Sequence, residues 1–279
     1  MTLEFDKVIL KFPELTSPES RVPSWADYFC RMAEHNWFKD WFNSHYYHLL
    51  YKHRDDTEAH AFIDRIVHLL EPAPDAKMLD IACGKGRHSR ALAQYGYDVT
   101  GIDLSYESIR EARKFAHEKL HFFQHDMRMP SWVNYFDIAW NLFTSFGYFK
   151  TQREHEKAIR TMAQSIKPGG KLVMDYLNVH YSEDHLVPSV HQIEDGVDFH
   201  ITKWHDEHFF YKQIQITDAA HPSPHHLYTE RVAKFSLGDF TEMMAYEHLQ
   251  IKEVYGDYQL APYHIRQSPR LIMVAEKIK

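Results

Sequence analysis

A chain of 279 residues, 44% of them apolar, is long enough to bury a full-sized core and too apolar to be disordered. Its formal net charge of −7, with no long Lys/Arg run, argues against a general nucleic-acid or anionic-membrane binder. No apolar run reaches the roughly 18–20 residues that cross a bilayer, and the acids in MTLEFDKVILKF do not suit a signal peptide, so the expected location is cytoplasmic.

Residues 1–24 are broken by Pro13, Pro18 and Pro23 and read as a surface arm. From Trp25 to about residue 56 aromatic residues recur at helical spacing, with Trp37 and Trp41, and Phe38 and Phe42, each four apart, which predicts a pair of helices. TEAHAFIDRIVHLL, residues 57–70, is an amphipathic helix that stops before Pro72. The rhythm then alternates. KMLDIA, YDVTGID, LHFFQHD, FDIAWNLF and GKLVMDYL read as short apolar strands, and HSRALAQY, YESIREARKFAHEK and TQREHEKAIRTMAQSI as helices among them.

Such alternation implies an α/β class: a doubly wound, mostly parallel sheet covered on both faces. Ligands bind such sheets at the carboxyl ends of the strands, so the loops after Asp80, Asp103, Asp126 and Asn141 should share one crevice. From 178 to 235 the helices drop out. Val197 to Lys203, His208 to Thr217 and Leu227 to Phe235 are rich in β-branched and aromatic residues and predict an antiparallel β insertion. LGDFTEMMAYEHL, IKEVYGDYQ and RLIMVAEKI then return the chain to the main sheet as helix, strand and strand, so residues 25–177 and 236–279 form one domain around the insertion.

Two cysteines, Cys30 and Cys83, are too few for a disulfide framework and lack metal-ligand spacing. Histidine is abundant, at 22 residues, but its densest group, HPSPHH at 221–226, is interrupted by proline and reads as a solvated loop, so no metal is expected.

The chemistry concentrates in MLDIACGKGRHS, residues 78–89. Gly84 and Gly86 permit a tight turn and close backbone approach at the N-terminus of the helix that starts near His88, where free N–H groups favour something anionic or polar. Asp103 ends the next strand, at the place of a ribose-binding carboxylate in nucleotide-binding βαβ units. A dinucleotide site would want a small third residue where Ser89 stands, and Asp80 just ahead of the turn would repel a pyrophosphate. Facing a cationic amino-acid end, Asp80 makes sense.

These residues resemble the class I S-adenosylmethionine-dependent methyltransferases. LDIACGKG is similar to their first motif, with Ala82 where a glycine is usual; GIDLS, HDMRMP, FDIAWNLFTSFGYF and IKPGGKLVMDYLN resemble the motifs that follow, in order, over residues 78–178. The resemblance implies a Rossmann-like methyltransferase fold of seven strands, S-adenosylmethionine as cofactor with S-adenosylhomocysteine as product, and methyl transfer to a small-molecule acceptor through nitrogen or oxygen. It places Asp103 on the ribose hydroxyls, Asp126 and Met127 at the adenine amino group with Leu104 and Met127 on the ring faces, Gly84 and Gly86 along the cofactor, and Asp80, Ala82 and Asn141 at the methionine end. It also implies an N-terminal helical lid, residues 25–56, with Tyr47, Tyr51 and Arg54 as contacts, Arg87 reaching the carboxylate, and the insertion 178–235 covering the acceptor.

Phe143, Phe146, Tyr148 and Phe149 crowd around Gly147, where aromatic faces could hold a cationic sulfonium or ammonium. Methyl transfer needs alignment and desolvation more than acid–base chemistry; candidates for a general base are Tyr148, Tyr176, His180 and Tyr181. The expected assembly is a monomer or a homodimer. The competing functions are a nicotinamide-dependent oxidoreductase using the same turn and a non-catalytic nucleoside-binding or assembly module.

Overall fold

Near-continuous apolar runs form strands buried on both faces, and with one edge strand they build the parallel part of the main sheet: Lys77–Ile81 (β1), Asp98–Asp103 (β2), Leu120–Gln124 (β3, the edge), Phe136–Asn141 (β4) and Ile166–Leu177 (β5). The computed structural model describes residues 37–52, 56–221 and 227–278. The N-terminal arm, the lid before Trp37, Cys30, Arg54 and residues 222–226 of the histidine-rich loop lie outside the described residues.

Ser189–Glu194 (β6), Val197–His205 (β7), Phe209–Asp218 (β8) and Leu227–Ala233 (β9) form a separate antiparallel sheet in simple sequence order. Leu249–Tyr255 (β10) and Arg270–Lys277 (β11) complete the main sheet, whose order is β10-β11-β5-β4-β1-β2-β3. Of those seven strands β11 alone runs against the rest, pairing antiparallel with both β5 and β10. Phe136 pairs with Ile166 but Ile138 with Lys171, a register shift that lets Lys167–Gly170 loop out at the start of β5.

Helices Trp37–Asn43 (α1), His45–Leu50 (α2), Asp56–Leu70 (α3), Arg87–Gln94 (α4), Tyr106–Ala112 (α5), Gln152–Ser165 (α6), Val179–Asp184 (α7) and Leu237–Tyr246 (α8) surround the sheets. Leu79, Leu172 and Met174 face α6 and α8, whereas Met78, Trp140 and Val173 face α3 and α4, the two-residue alternation that splits the core into two halves. Burial of Phe62, Ile63 and Ile66 along one stripe of α3 stabilises its seat by roughly 1.5–3 kcal/mol per side chain. α6 and α8 each begin with a capping box, Thr151 with Glu154 and Ser236 with Asp239.

Three local differences from the sequence expectation have simple causes. The helix expected over 106–119 stops at Ala112 and passes through a 3-10 turn, Arg113–Phe115, because His117 and Leu120 exchange backbone hydrogen bonds that turn the chain into β3. α7 interrupts the segment read as wholly strand; its N-cap Asn178 is held by Nδ2 donating to the Ser268 and Ile265 carbonyls. The third concerns the insertion. Its inner face, with Val197, Phe199, Ile201, Ile214 and Ile216, packs on Trp41, Tyr46, Leu49 and Leu50, so the sheet covers α1 and α2.

Polar contacts fix that arrangement. The Trp41 indole N–H donates to Glu230 Oε1 at 2.7 Å, the Tyr51 hydroxyl donates to the same oxygen at 3.0 Å, and Tyr46 donates to Asp218 at 3.1 Å. Two residues after Trp41, at the C-terminus of α1, Asn43 Oδ1 accepts from the Ser105 hydroxyl at 2.7 Å, tying this helix to the cap of α5.

Candidate functional site

The turn between β1 and α4 is held by left-handed backbone at Ala82 (φ 60°), Gly84 (φ 57°) and Gly86 (φ 80°). The two glycines serve different ends. Gly84 has open space where a Cβ would stand, lines the cavity described below, and donates its N–H to Asp103 Oδ2 at 2.8 Å. Gly86 caps α4 and is buried; a Cβ there would fall 2.6 Å from the Phe122 ring of β3. It does not line the cavity, which corrects its expected place beside the cofactor: close packing of the turn on β3 requires this glycine.

Asp80 lies at the floor, buried, and accepts from the Ser89 hydroxyl at 2.5 Å. Burial, reinforced by the nearby Asp103 charge and opposed by the Ser89 hydrogen bond, pushes its pKa up to about 6. Asp103 at the tip of β2 is also raised by burial, against backbone N–H groups that favour its charged form; Ser105 donates to Oδ1 at 2.7 Å. Next to the turn, burial lowers the His88 pKa to about 3, so its ring is neutral at physiological pH, and its Nε2 has no hydrogen-bond partner among the described residues. Burial raises the Cys83 thiol well above its usual range, in keeping with a structural role.

The loop after β4 supplies the opposite wall. Phe143 (φ 57°) and Thr144 (φ 55°) are consecutive non-glycine residues in the left-handed region, a backbone that persists only when surroundings over-determine it. Asp175 of β5 does so. It takes the Phe143 N–H at 2.8 Å and the Tyr258 hydroxyl at 3.0 Å, and pairs with Arg270 at 2.7 Å, while Arg270 also donates to the Thr144 hydroxyl at 2.8 Å. The Phe143 ring stacks on Tyr258 at 5.0 Å and carries the Arg87 guanidinium 4.3 Å from its centroid.

Together these elements enclose a cavity of ≈ 340 Å³ at the carboxyl tips of β1, β2 and β4. Asp80, Ala82, Gly84, Arg87, Asp103, Leu104, Asp126, Met127, Tyr148 and the lid tyrosines Tyr47 and Tyr51 all line it, so most residues singled out from the sequence meet in one place. Asp126 is engaged by Arg128, whose Nε and Nη2 donate to its two oxygens at 3.0 and 2.7 Å, and Arg128 reaches on to Glu154 at 2.6 Å.

Asn141 is not among the lining residues. Its Nδ2 donates to the Ile81 carbonyl at 3.1 Å, bracing β4 on β1, while its buried Oδ1 has no partner among the described residues. Tyr176 is corrected as a base candidate: it is wholly buried, burial raises its pKa far above the usual range, and its hydroxyl donates to the Ala233 carbonyl away from the cavity. His180 and Tyr181 fall on α7, outside this cavity; Tyr181 lines a second one of ≈ 380 Å³ between the insertion and the ends of β5 and β11. Among the described residues none of the first cavity's lining comes from 178–235, so the insertion does not roof it directly.

Sequence reasoning missed Phe38 and Phe42 as cavity walls, along with His88 and His125. The four-residue spacing of the phenylalanines announced a helix face, but not which body that face would meet.

A family model described as a methyltransferase domain matches residues 78–170. The dTDP-3-amino-3,4,6-trideoxy-alpha-D-glucopyranose N,N-dimethyltransferase of Streptomyces venezuelae is 35% identical over 104 residues, 37% of this chain and 43% of that one. The chain spans about half the length, or less, of the curated relatives it matches, 51% of one and 43% of another. Among solved structures, an S-adenosylmethionine-dependent methyltransferase from Clostridium acetobutylicum aligns with TM-score 0.70 at 17% identity, over 84% of this chain and 96% of that one. A sugar N-methyltransferase from Streptoalloteichus aligns over 97% and 99% of the two chains, with TM-score 0.65 at 19% identity. Sheet order, strand-tip cavity and sequence match agree: residues 78–170 are similar to a methyltransferase domain, and the chain has the fold of the S-adenosylmethionine-dependent methyltransferases it aligns with.

Proposed function

We propose that the protein binds S-adenosylmethionine in the strand-tip cavity and methylates a small-molecule acceptor at nitrogen or oxygen. The observation that carries this reading is one cavity with two carboxylates, the buried Asp80 and the half-buried Asp103, on adjacent parallel strands. Each Asp103 oxygen already accepts one backbone N–H, which orients the carboxylate and leaves lone pairs for the two ribose hydroxyls. Asp80, raised by burial, is the group whose ionised form gains most from a cationic aminoacyl end.

When bound, the sulfonium supplies an activated methyl for in-line displacement. The chain's part is to orient and to exclude water. Phe38, Phe42, Phe143 and Tyr148 give the cavity apolar and aromatic walls suited to a group that loses positive charge as it reacts. Of the base candidates, Tyr148 alone stands in this cavity. Relatives named for amino-sugar and sugar N-methylation support a small acceptor.

Titration calorimetry with S-adenosylhomocysteine tests the reading. Binding to the wild type, weakened by roughly tenfold or more in Asp103→Ala through loss of charge-assisted hydrogen bonds, is expected. Equal affinity in both proteins would remove Asp103 from the site, and no heat at millimolar ligand would remove the cofactor.

A further inference from the structure

The outward face of the antiparallel sheet carries a cluster that the strand-tip cavity does not use. Val197, Phe199 and Ile201 of β7 point into the core, so Asp198 and His200 stand on the opposite side of the same strand. His191 of the neighbouring strand β6 lies directly across from His200 in the register. His191 Nε2 is 2.8 Å from Asp198 Oδ1, and His200 Nε2 is 3.9 Å from the same oxygen. The two imidazoles stack with centroids 4.4 Å apart and planes 13° from parallel, and one ligand atom from each of the three residues lies within 4.8 Å of the other two.

Zinc bonds of about 2.0–2.2 Å in a tetrahedron set neighbouring ligand atoms roughly 3.3–3.6 Å apart. The two measured separations from the Asp198 oxygen fall on either side of that range. Small side-chain rotations from a fixed backbone therefore close the set. Two imidazoles and one carboxylate suit zinc and its neighbours in the transition series, whereas magnesium and calcium want oxygen alone.

We propose that His191, Asp198 and His200 form a surface site for a divalent transition cation of the zinc type, with water completing the coordination. The site joins two strands through side chains. β6 is an edge of its sheet, with Ile193 exposed beside the cluster, and edge strands are where pairing slips or recruits another chain. A one-residue slip would carry His191 to the other face and abolish the site, so a bound cation locks the β6–β7 register. The sequence expectation of no metal looked to the clustered histidines near 221; here the ligands converge only through the β6–β7 hairpin.

The test uses the full chain, stripped of metal and titrated with zinc chloride by calorimetry in a non-coordinating buffer, beside His200→Gln, Asp198→Asn and a His191→Asn/His200→Gln double variant. With 22 histidines in the chain, the decisive quantity is the site lost on substitution. The expected result is one equivalent of zinc bound at micromolar concentration, weakened by more than roughly tenfold in each variant, with magnesium giving no heat. Affinity for S-adenosylhomocysteine should be unchanged in the variants, which keeps this outcome separate from that of the cavity. Zinc should raise the melting temperature of the wild type and not of the double variant. Zinc bound equally by wild type and double variant, or no binding at micromolar zinc, overturns the proposal. His191 and His200 are at least half exposed, so their replacement does not open the core.

Discussion

Replacing Asp80 with Asn should change how stability depends on pH. The native carboxyl has a pKa of about 6 against an ordinary value of 3.8, because burial disfavours its charge. An acid raised in the folded state binds more protons folded than unfolded between those two values, so stability is retained below the lower one and falls as pH rises through the upper one. A shift of about two pKa units amounts to about 3 kcal/mol at neutral pH. Asn cannot ionise and can still accept the Ser89 hydroxyl bond that Asp80 accepts at 2.5 Å. The stability of Asp80→Asn relative to wild type should therefore improve by about 2–2.5 kcal/mol between about pH 4 and about pH 7.5. Urea denaturation followed by tryptophan fluorescence at the two pH values measures it. Stability curves that stay parallel across this window would refute the argument that Asp80 is ionised at a cost. The same variant should bind S-adenosylhomocysteine more weakly at the higher pH, where the wild-type carboxylate is charged.

The two glycines of the turn should part company. Gly86→Ala meets both a left-handed φ and the Phe122 ring, and should cost about 2–4 kcal/mol in stability; Gly84→Ala meets only the φ and should cost about 1 kcal/mol, both read by chemical denaturation. Similar losses in the two would show that Phe122 yields freely. Arg270→Met strands the wholly buried Asp175 carboxylate and should destabilise by about 3–5 kcal/mol, whereas Arg270→Met/Asp175→Asn should recover much of that loss. Additive effects in this double-mutant cycle would deny that the pair acts as a unit.

Much of the architecture was legible because its signals are local. Apolar strands spaced by amphipathic helices announce a covered parallel sheet, and the acids that end β1 and β2 and follow β3 mark its crevice, where Asp80, Asp103 and Asp126 line one cavity; Tyr47 and Tyr51, which line it too, were suggested only by the family resemblance. What escaped was set by contacts between distant segments. Nothing near Gly86 says that Phe122 lies against it. The Trp41 contact with Glu230 joins residues 189 apart in the chain. Tyr176 is a different lesson, since it shares strand parity with Leu172 and Met174, and that parity already turned it toward the core. Asp175, one residue away on the opposite face, was overlooked because a lone strand acid carries no motif; its importance rests on Arg270 and Tyr258 from the far end of the chain.

α1 and α2 bridge the two sheets, packing on the antiparallel sheet through Trp41, Tyr46, Leu49 and Leu50 and on the main core through Phe38. The floor of the cavity is made of strand ends locked in a seven-stranded ladder, whereas the ceiling is two short helices. We expect a ligand of the cavity to exchange past these two helices. A change deep within the small sheet, at Phe199 for instance, would be felt as altered traffic while the floor kept its shape.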